Sequence, residues 1–320
     1  MGLTVFSAPK PFQGAIDLIQ RNALRSWLAL EGEVEVLLFG DELGISEAAT
    51  AFGVRHMPPV DRNERGTPLV NSIFRGAQEY ASHPVLCYVN ADILLLPDLV
   101  PAVERVASAF DRFLIVGQRW DLAVTVSLET WPEAVSLLRD ELAARGRPHP
   151  PAGSDYFVFP RRSFEGMPPF ALGRAGWDNW MIYAARAAGM PVVDVTPSVT
   201  VIHQDHDYAH LPGGQPHYRL PESDQNLLLA GGREMIFTLA DCTWLLQGGS
   251  LRRLGWVARG LPRALESALY LVLGPGQASR MVRVLFHPLE SGRYYAGRLG
   301  RRVKRWLNER LGICDPAVEG

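Results

Sequence analysis

Five apolar residues, Val85-Leu86-Cys87-Tyr88-Val89, run without interruption into Asn90-Ala91-Asp92, and Ile93 to Asp98 carries the chain away. An apolar run of this length, entered from a helical pattern and stopped by polar residues, predicts a strand buried on both faces of a parallel sheet. Ligands bind such sheets beyond the carboxyl ends of the strands. Asn90 and Asp92 stand at such an end, two apart across the small Ala91, so both oxygens can face one ligand. A hard divalent cation held by one or two carboxylates and completed by phosphate oxygens needs this arrangement. The alternative is that Asp92 only caps the segment that follows.

The flanking pattern places this strand in an α/β layer fold. Leu3–Phe6, Val34–Phe39 and Val54–Met57 read as strands, and Phe12 onward, Ile45–Phe52 and Leu69–Tyr80 as helices. Thr67 with Pro68 predicts an N-cap followed by the first helical position. Strand and helix therefore alternate over the first ~90 residues, the mark of an open, mainly parallel sheet with helices on both faces. Further on, Pro97–Ala109, Trp131–Arg145 and Asn179–Ala188 read as helices. Phe113–Gly117, Asp155–Pro160, Val192–Val195 and Val199–Ile202 read as strands, and Gln118–Val126 as irregular chain or an antiparallel edge. From about Gly249 the pattern changes: Leu251, Leu254, Val257, Leu261, Leu265 and Leu269 fit one helical stripe. The expected organisation is an α/β domain over 1–248 and a basic helical region over 249–320.

Composition narrows the class. The 320 residues suffice for a full core. Cys87, Cys242 and Cys314 are too few and too dispersed for a disulfide framework or a zinc knuckle, which suits a reducing, cytoplasmic setting. Met1–Lys10 lacks a charged region before an apolar stretch, and Phe6 stands where a myristoylation signal has Ser or Thr, so neither leader nor acyl anchor is expected. The formal net charge is −2, yet Ser250–Gly312 carries thirteen Lys and Arg against three Glu. Such asymmetry points to an anionic partner. Aromatics are too sparse there for nucleic-acid stacking. The basic amphipathic run Arg301–Leu307, with Trp306, better suits peripheral contact with an anionic membrane; a solvated helical face is the plain alternative.

Polar clusters recur at the expected strand ends. Pro9, Lys10 and Pro11 follow the first strand, Asp41 the second, and Arg65-Gly66 opens the helix before the central strand. In a doubly wound sheet these loops converge on one edge, where Lys10 or Arg65 can neutralise a diphosphate and Asp41 can meet a ribose. Each has a plain reading: a turn residue for Asp41, solvated charges for Lys10 and Arg65. There is no glycine-rich loop of the dinucleotide or P-loop kind, and no Gly-x-Ser-x-Gly elbow.

Phe39-Gly40-Asp41-Glu42, the helix opened by Gly66, and Tyr88-Val89-Asn90-Ala91-Asp92 together resemble the nucleotide-sugar half of GT-A-fold glycosyltransferases, of the nucleotide-diphospho-sugar transferase superfamily. The resemblance covers about residues 3–207. It matches Asn90-Ala91-Asp92 to the family's Asp-x-Asp motif, with Asn90 in place of the first Asp. It implies a divalent metal, Mn2+ or Mg2+, on Asp92, with Asn90 as a neutral ligand or ribose partner. It matches Asp178, in Gly176-Trp177-Asp178-Asn179-Trp180, to the family's general base in inverting members, and His203 or His206 to its metal-binding histidine. A helix N-terminus would keep Asp178 ionised; the plain reading is an N-cap. Trp177 and Trp180 are candidates to stack on a sugar, or core residues. Asp155 is a candidate hydroxyl ligand of the acceptor, or a loop cap.

The function implied is transfer of a sugar from a nucleoside diphosphate sugar to a hydroxyl of a glycan or lipid-linked acceptor, as in polysaccharide biosynthesis. Two alternatives stay open: a nucleotidyltransferase that makes a nucleotide sugar, and a non-catalytic nucleotide- or glycan-binding protein on the same fold.

Overall fold

A computed structural model describes residues 2–206 and 220–292 of the chain. The stretch Asp207–His210 at the end of the histidine run, the basic segment Arg301–Leu307 and Cys314 lie outside the described residues.

In chain order the elements are β1 (Leu3–Ser7), α1 (Gly14–Leu28), β2 (Val34–Phe39), α2 (Ile45–Phe52), β3 (Arg55–Met57), α3 (Val70–Tyr80), β4 (Val85–Val89), β5 (Ile93–Leu95), α4 (Leu99–Ala107), β6 (Leu114–Val116), β7 (Trp120–Leu122) and α5 (Trp131–Arg145). They continue with β8 (Arg147–Pro148), β9 (Tyr156–Pro160), α6 (Trp177–Ala187), β10 (Val192–Asp194), β11 (Val201–Gln204), α7 (Pro221–Leu229), β12 (Trp244–Gln247), β13 (Ser250–Arg253), α8 (Leu261–Leu273) and α9 (Gln277–Phe286). The expected open α/β sheet is present, in the order β13-β12-β10-β6-β9-β4-β1-β2-β3. β4 is interior: it runs parallel to β1 and antiparallel to β9.

Its burial follows from the pleat, which sends successive side chains to opposite faces. On one face Val5, Cys87, Val158 and Leu38 pack with Leu24 and Trp27 of α1 and Val103 of α4. On the other, Phe6, Tyr88, Phe157 and Leu37 pack with Phe74 of α3 and Trp177 of α6. The second face is aromatic: Phe74 stacks on Tyr88 at 5.5 Å and Trp177 meets Tyr88 edge-on at 5.0 Å. Both faces of β4 are thus apolar, which is why its sequence shows a run rather than an alternation.

A second sheet, β5-β11-β7-β8, stands at the carboxyl edge of the first. Here the sequence expectation needs correction. Gln118–Val126 is irregular outside Trp120–Leu122, as expected, but β7 is no edge: it lies between β8, to which it is antiparallel, and β11, to which it runs parallel with His203 beside Asp121. β11 pairs antiparallel with β5, with His203 beside Ile93. This small sheet carries the histidines to the end of β4.

Two further expectations are corrected. Thr67 and Pro68 do not start α3, because Pro68 and Leu69 are drawn into extended bridges with Arg62 and Ala171; the helix begins at Val70, with Leu69 as its cap position. The helical stripe does not reach back to Leu251. Gly248 and Gly249, at φ +55° and +73°, make the two-residue turn that a tight hairpin requires. β13 therefore returns against β12 and widens the main sheet across position 249. Helix resumes only at Leu261. No described helix is long and apolar enough to cross a membrane.

Candidate active site

At the carboxyl ends of β1 and β4 lies a cleft of about 490 Å³. It is lined by Pro9, Lys10, Arg65, Gly66, Asn90, Asp92, Asp155, Trp177, Asp178, His203 and His206 among the expected residues. Its position follows from topology, since the strands stop there and their loops splay apart.

Asp92 sits at the first turn beyond β4, and its carboxylate is 13% exposed. Its Oδ2 lies 3.3 Å from Lys10 Nζ and 3.1 Å from His206 Nε2, while His203 Nε2 is 4.0 Å away. Its Oδ1 is buried and has no hydrogen-bond partner among the described residues. Burial alone would raise the Asp92 carboxyl, but Lys10, His206 and His203 outweigh it and hold the group well below the usual carboxylate range. Burial likewise disfavours a charged His203, yet the Asp121 and Asp92 carboxylates keep its pKa above the ordinary histidine value. His203 Nδ1 is 3.4 Å from Asp121 Oδ1. One carboxylate oxygen and two imidazole nitrogens, from Asp92, His203 and His206, come within 4.8 Å of one another. That donor set, with one open buried oxygen, fits a divalent cation.

Lys10 is placed by its own loop. The Lys10 backbone N–H donates to Gln20 Oε1 at 2.7 Å, and Gln20 Nε2 donates to the Lys10 carbonyl at 2.8 Å. With Pro on both sides, this fixes the loop over α1. The turn that holds Arg65 is built by Asn63, whose Oδ1 accepts the backbone N–H groups of Arg65 and Thr67 at 2.9 and 3.0 Å. Gly66 follows at φ +79°, a conformation that other residues strain to adopt. Arg65 itself is exposed at the rim.

Asn90 is no cation ligand in this arrangement. Its Oδ1 accepts from the Tyr88 hydroxyl at 2.9 Å, and its Nδ2 donates to Asp155 Oδ1 at 2.7 Å. Asp155 Oδ2 accepts from Arg119, which also donates to Asp121 at 3.0 Å. Asp121 Oδ2 in turn lies 2.9 Å from His149 Nδ1. The chain from Tyr88 to His149 is a continuous network, of which Tyr88, Asn90, Asp155 and Arg119 form one wall of the cleft. Arg119, Asp121 and His149 are the residues that sequence reasoning missed. Arg119-Trp120-Asp121-Leu122 does alternate, which puts Arg119 and Asp121 on one face, but nothing local reveals what that face meets.

Asp178 lies in the first turn of α6, just after Gly176 at φ +108°. Its Oδ1 accepts the Gly176 N–H at 3.2 Å. The helix end does not set its pKa alone. Burial dominates, the Asp155 charge adds to it, and together they outweigh the nearby N–H groups and push the Asp178 pKa up to about 6.

Three expected roles fail on geometry. Asp41 does not line the cleft: its side chain is 68% exposed and ion-paired with Arg62. Glu42 lines the cleft instead, 2.8 Å from the same Arg62. Trp177 touches the cleft only as its floor, 5% exposed and locked among Phe74, Tyr88 and Phe157, so it offers no face to a sugar. Trp180 packs on Phe170 at 5.3 Å and does not reach the cleft.

No family model matches the chain, and no curated protein matches it. Solved structures do. Glucosyl-3-phosphoglycerate synthase from Mycobacterium tuberculosis has 15% identity over 79% of this chain and 87% of its own, with a TM-score of 0.40. The same enzyme in complex with Mn2+, uridine diphosphate and glucosyl-3-phosphoglycerate has 15% identity, 75% and 80% coverage, and a TM-score of 0.42. S. aureus TarS 1-349 has 9% identity over 64% of this chain and 59% of its own, with a TM-score of 0.39. At these values the likenesses assign no chemistry to this chain, whose cleft has to be read from its own side chains.

Proposed function

We propose that this chain is a metal-dependent glycosyltransferase that moves a sugar from a nucleoside diphosphate sugar to a hydroxyl of a glycan or lipid-linked acceptor. The observation that carries the reading is the pairing, in one cleft, of two unlike acidic centres. Asp92, with His203 and His206, is held ionised and has an open oxygen. Asp178 is raised to about 6. Acidic groups pushed apart in this way suit separate roles in acid–base chemistry.

A divalent ion on Asp92, His203 and His206 would supply Lewis-acid stabilisation of the leaving diphosphate. Imidazole nitrogens beside one carboxylate favour a transition ion such as Mn2+ over Mg2+, which prefers oxygen ligands. Lys10 and Arg65 add positive charge at the same edge for the diphosphate. Asp178 takes the proton from the acceptor hydroxyl in an inverting transfer; a base poised about one unit below neutrality is ionised at pH 7 yet still able to accept. Asp155, fixed by Asn90 and Arg119, presents its carboxylate to the cleft and can orient a hydroxyl.

Thermal melting against UDP, GDP, ADP, CDP and TDP, each with Mn2+ or with EDTA, tests the reading. A ligand at ~100 times its dissociation constant adds about 2.7 kcal/mol, which is visible as a melting shift. The expected result is a shift with one diphosphate that EDTA abolishes. No shift with any of the five would remove the metal-diphosphate site.

A further inference from the structure

We propose that the outward faces of α8 and α9 form a docking surface for an anionic lipid bilayer. Ten of the sixteen large apolar side chains exposed among the described residues fall between Trp256 and Leu289. Isolated exposed leucines need no explanation, but a concentration of this kind marks an interaction surface.

Tyr270, Leu271 and Val282 pack on the apolar core, yet both helices leave most of their large apolar side chains outward. In α8 the buried side chains are Ala264, Glu266, Ser267 and Tyr270, whereas Leu265 and Val272 are 45% and 83% exposed. In α9 the buried residue is Ser279, whereas Met281 and Leu285 are 69% and 77% exposed. An ordinary surface helix does the opposite. The orientation is fixed by polar bonds on the inner side. Glu266 accepts from the Tyr270 hydroxyl at 2.6 Å and from Arg263 at 2.9 Å, and lies 2.8 Å from His287 Nε2. Rolling α8 to hide its leucines would break all three and leave buried charge unpaired.

Charge selects the occupant. Arg252 and Arg253 on β13 and Arg280 on α9 itself are exposed, and among the described residues beyond 249 the only acids are the buried Glu266 and Glu290, which pairs with Arg283. Residues 293–320 carry seven Lys and Arg against three acids, the same sign. A second copy of this face, or the chain's own C-terminal stretch, would bring like charges together. An apolar surface accompanied by exposed cations is complementary to a bilayer with anionic headgroups.

The test is vesicle flotation of the full chain with phosphatidylcholine alone and with about 30% phosphatidylglycerol. Binding is expected on the anionic vesicles, at least about tenfold weaker on the neutral ones, and weakened by about 0.5 M salt. The double variant Val272→Glu with Leu285→Glu is expected to lose binding about tenfold or more while keeping the parental melting temperature. Leu228→Glu, at a 79% exposed site on α7, is expected to bind as the parent does. Absence of binding to both vesicles overturns the proposal. Unchanged binding of the double variant overturns it too, because the contact then lies elsewhere. A parental dimer that the double variant dissolves, without vesicle binding, assigns the face to a second copy instead.

Discussion

Two carboxylates at opposite ends of the same sheet have opposite fates. Glu35, at the amino end of β2, is saturated. Its Oε1 accepts from Arg55 at 2.5 Å and from Ser82 Oγ at 2.8 Å, and its Oε2 from Thr4 Oγ1 at 2.8 Å and the Ser82 N–H at 2.7 Å. Burial would raise its pKa, yet those bonds carry it down to about 2. Asp92, beyond the carboxyl end of β4, is also held ionised, but one of its oxygens has no hydrogen-bond partner among the described residues. A buried acid with every lone pair answered locks the fold. A buried acid left partly open is waiting for something the protein does not itself supply.

The comparison breaks first, and most visibly, at Asp92. Asp92→Asn keeps the shape and removes the charge. It is expected to lower transfer by about 10³-fold, as loss of several kcal/mol of charge stabilisation implies, and to abolish the EDTA-sensitive diphosphate shift while leaving the fold intact. A variant that loses stability yet binds diphosphate as the parent does would make Asp92 a second Glu35. Asp178→Asn comes next, with an expected loss of about 10²- to 10⁴-fold. The carboxylate must be ionised to accept a proton, so the parental rate should rise as pH climbs through about 6 and level off above it. The residual rate of Asp178→Asn should lack that limb. A limb that survives belongs to another group.

Glu35→Gln should do the reverse: transfer per folded molecule unchanged, stability lower by about 2 kcal/mol at neutral pH. The sign follows from a folded pKa of about 2 against an ordinary value of 4.5. The stabilisation is complete above the ordinary value and is lost as pH falls toward 2. Urea unfolding at pH 7 and at pH 3 should therefore show the gap between parent and Glu35→Gln closing on acidification.

What the sequence reveals of this site is what lies along one strand. The apolar run of β4 predicts its own burial, and the polar stop predicts a ligand edge, because both follow from a strand ending in a parallel sheet. Lys10, Arg65, Asp92, Asp178, His203 and His206 do converge on one cleft. The errors arise where a partner distant in sequence decides the outcome. Asp41 and Glu42 are equivalent as letters, and both pair with Arg62, about twenty residues on, yet one is turned outward and the other lines the cleft. Trp177 looks like a sugar platform until Tyr88 and Phe74 claim its faces. Leu251 falls on a helical period by coincidence, and the left-handed pair Gly248-Gly249 overrules it. Asp121 lies on, and Arg119 just before, a short strand whose meaning comes from pairing with β11, some eighty residues away.

The smallest expected effect is also the sharpest. Asn90→Asp restores the first acid of an Asp-x-Asp pair, and by resemblance alone it ought to improve a metal site. The geometry predicts the contrary. Asn90 Nδ2 donates to Asp155 Oδ1 at 2.7 Å, so the substitution sets carboxylate against carboxylate at hydrogen-bond distance. Like charges that close cannot both ionise freely, and one proton comes to be shared between them. While it is shared, an O–H···O bond replaces the lost N–H···O bond and Arg119 still neutralises Asp155, so the cost near pH 5 should be about 1 kcal/mol. As pH rises, the shared proton leaves and repulsion grows. Asn90→Asp should therefore fall further below the parent in melting temperature at pH 8 than at pH 5, with no gain in transfer or in Mn2+ dependence. A gain would show that Asn90 turns from Asp155 toward the metal when donor binds, and that the network from Tyr88 to His149 is as open as Asp92 rather than as closed as Glu35.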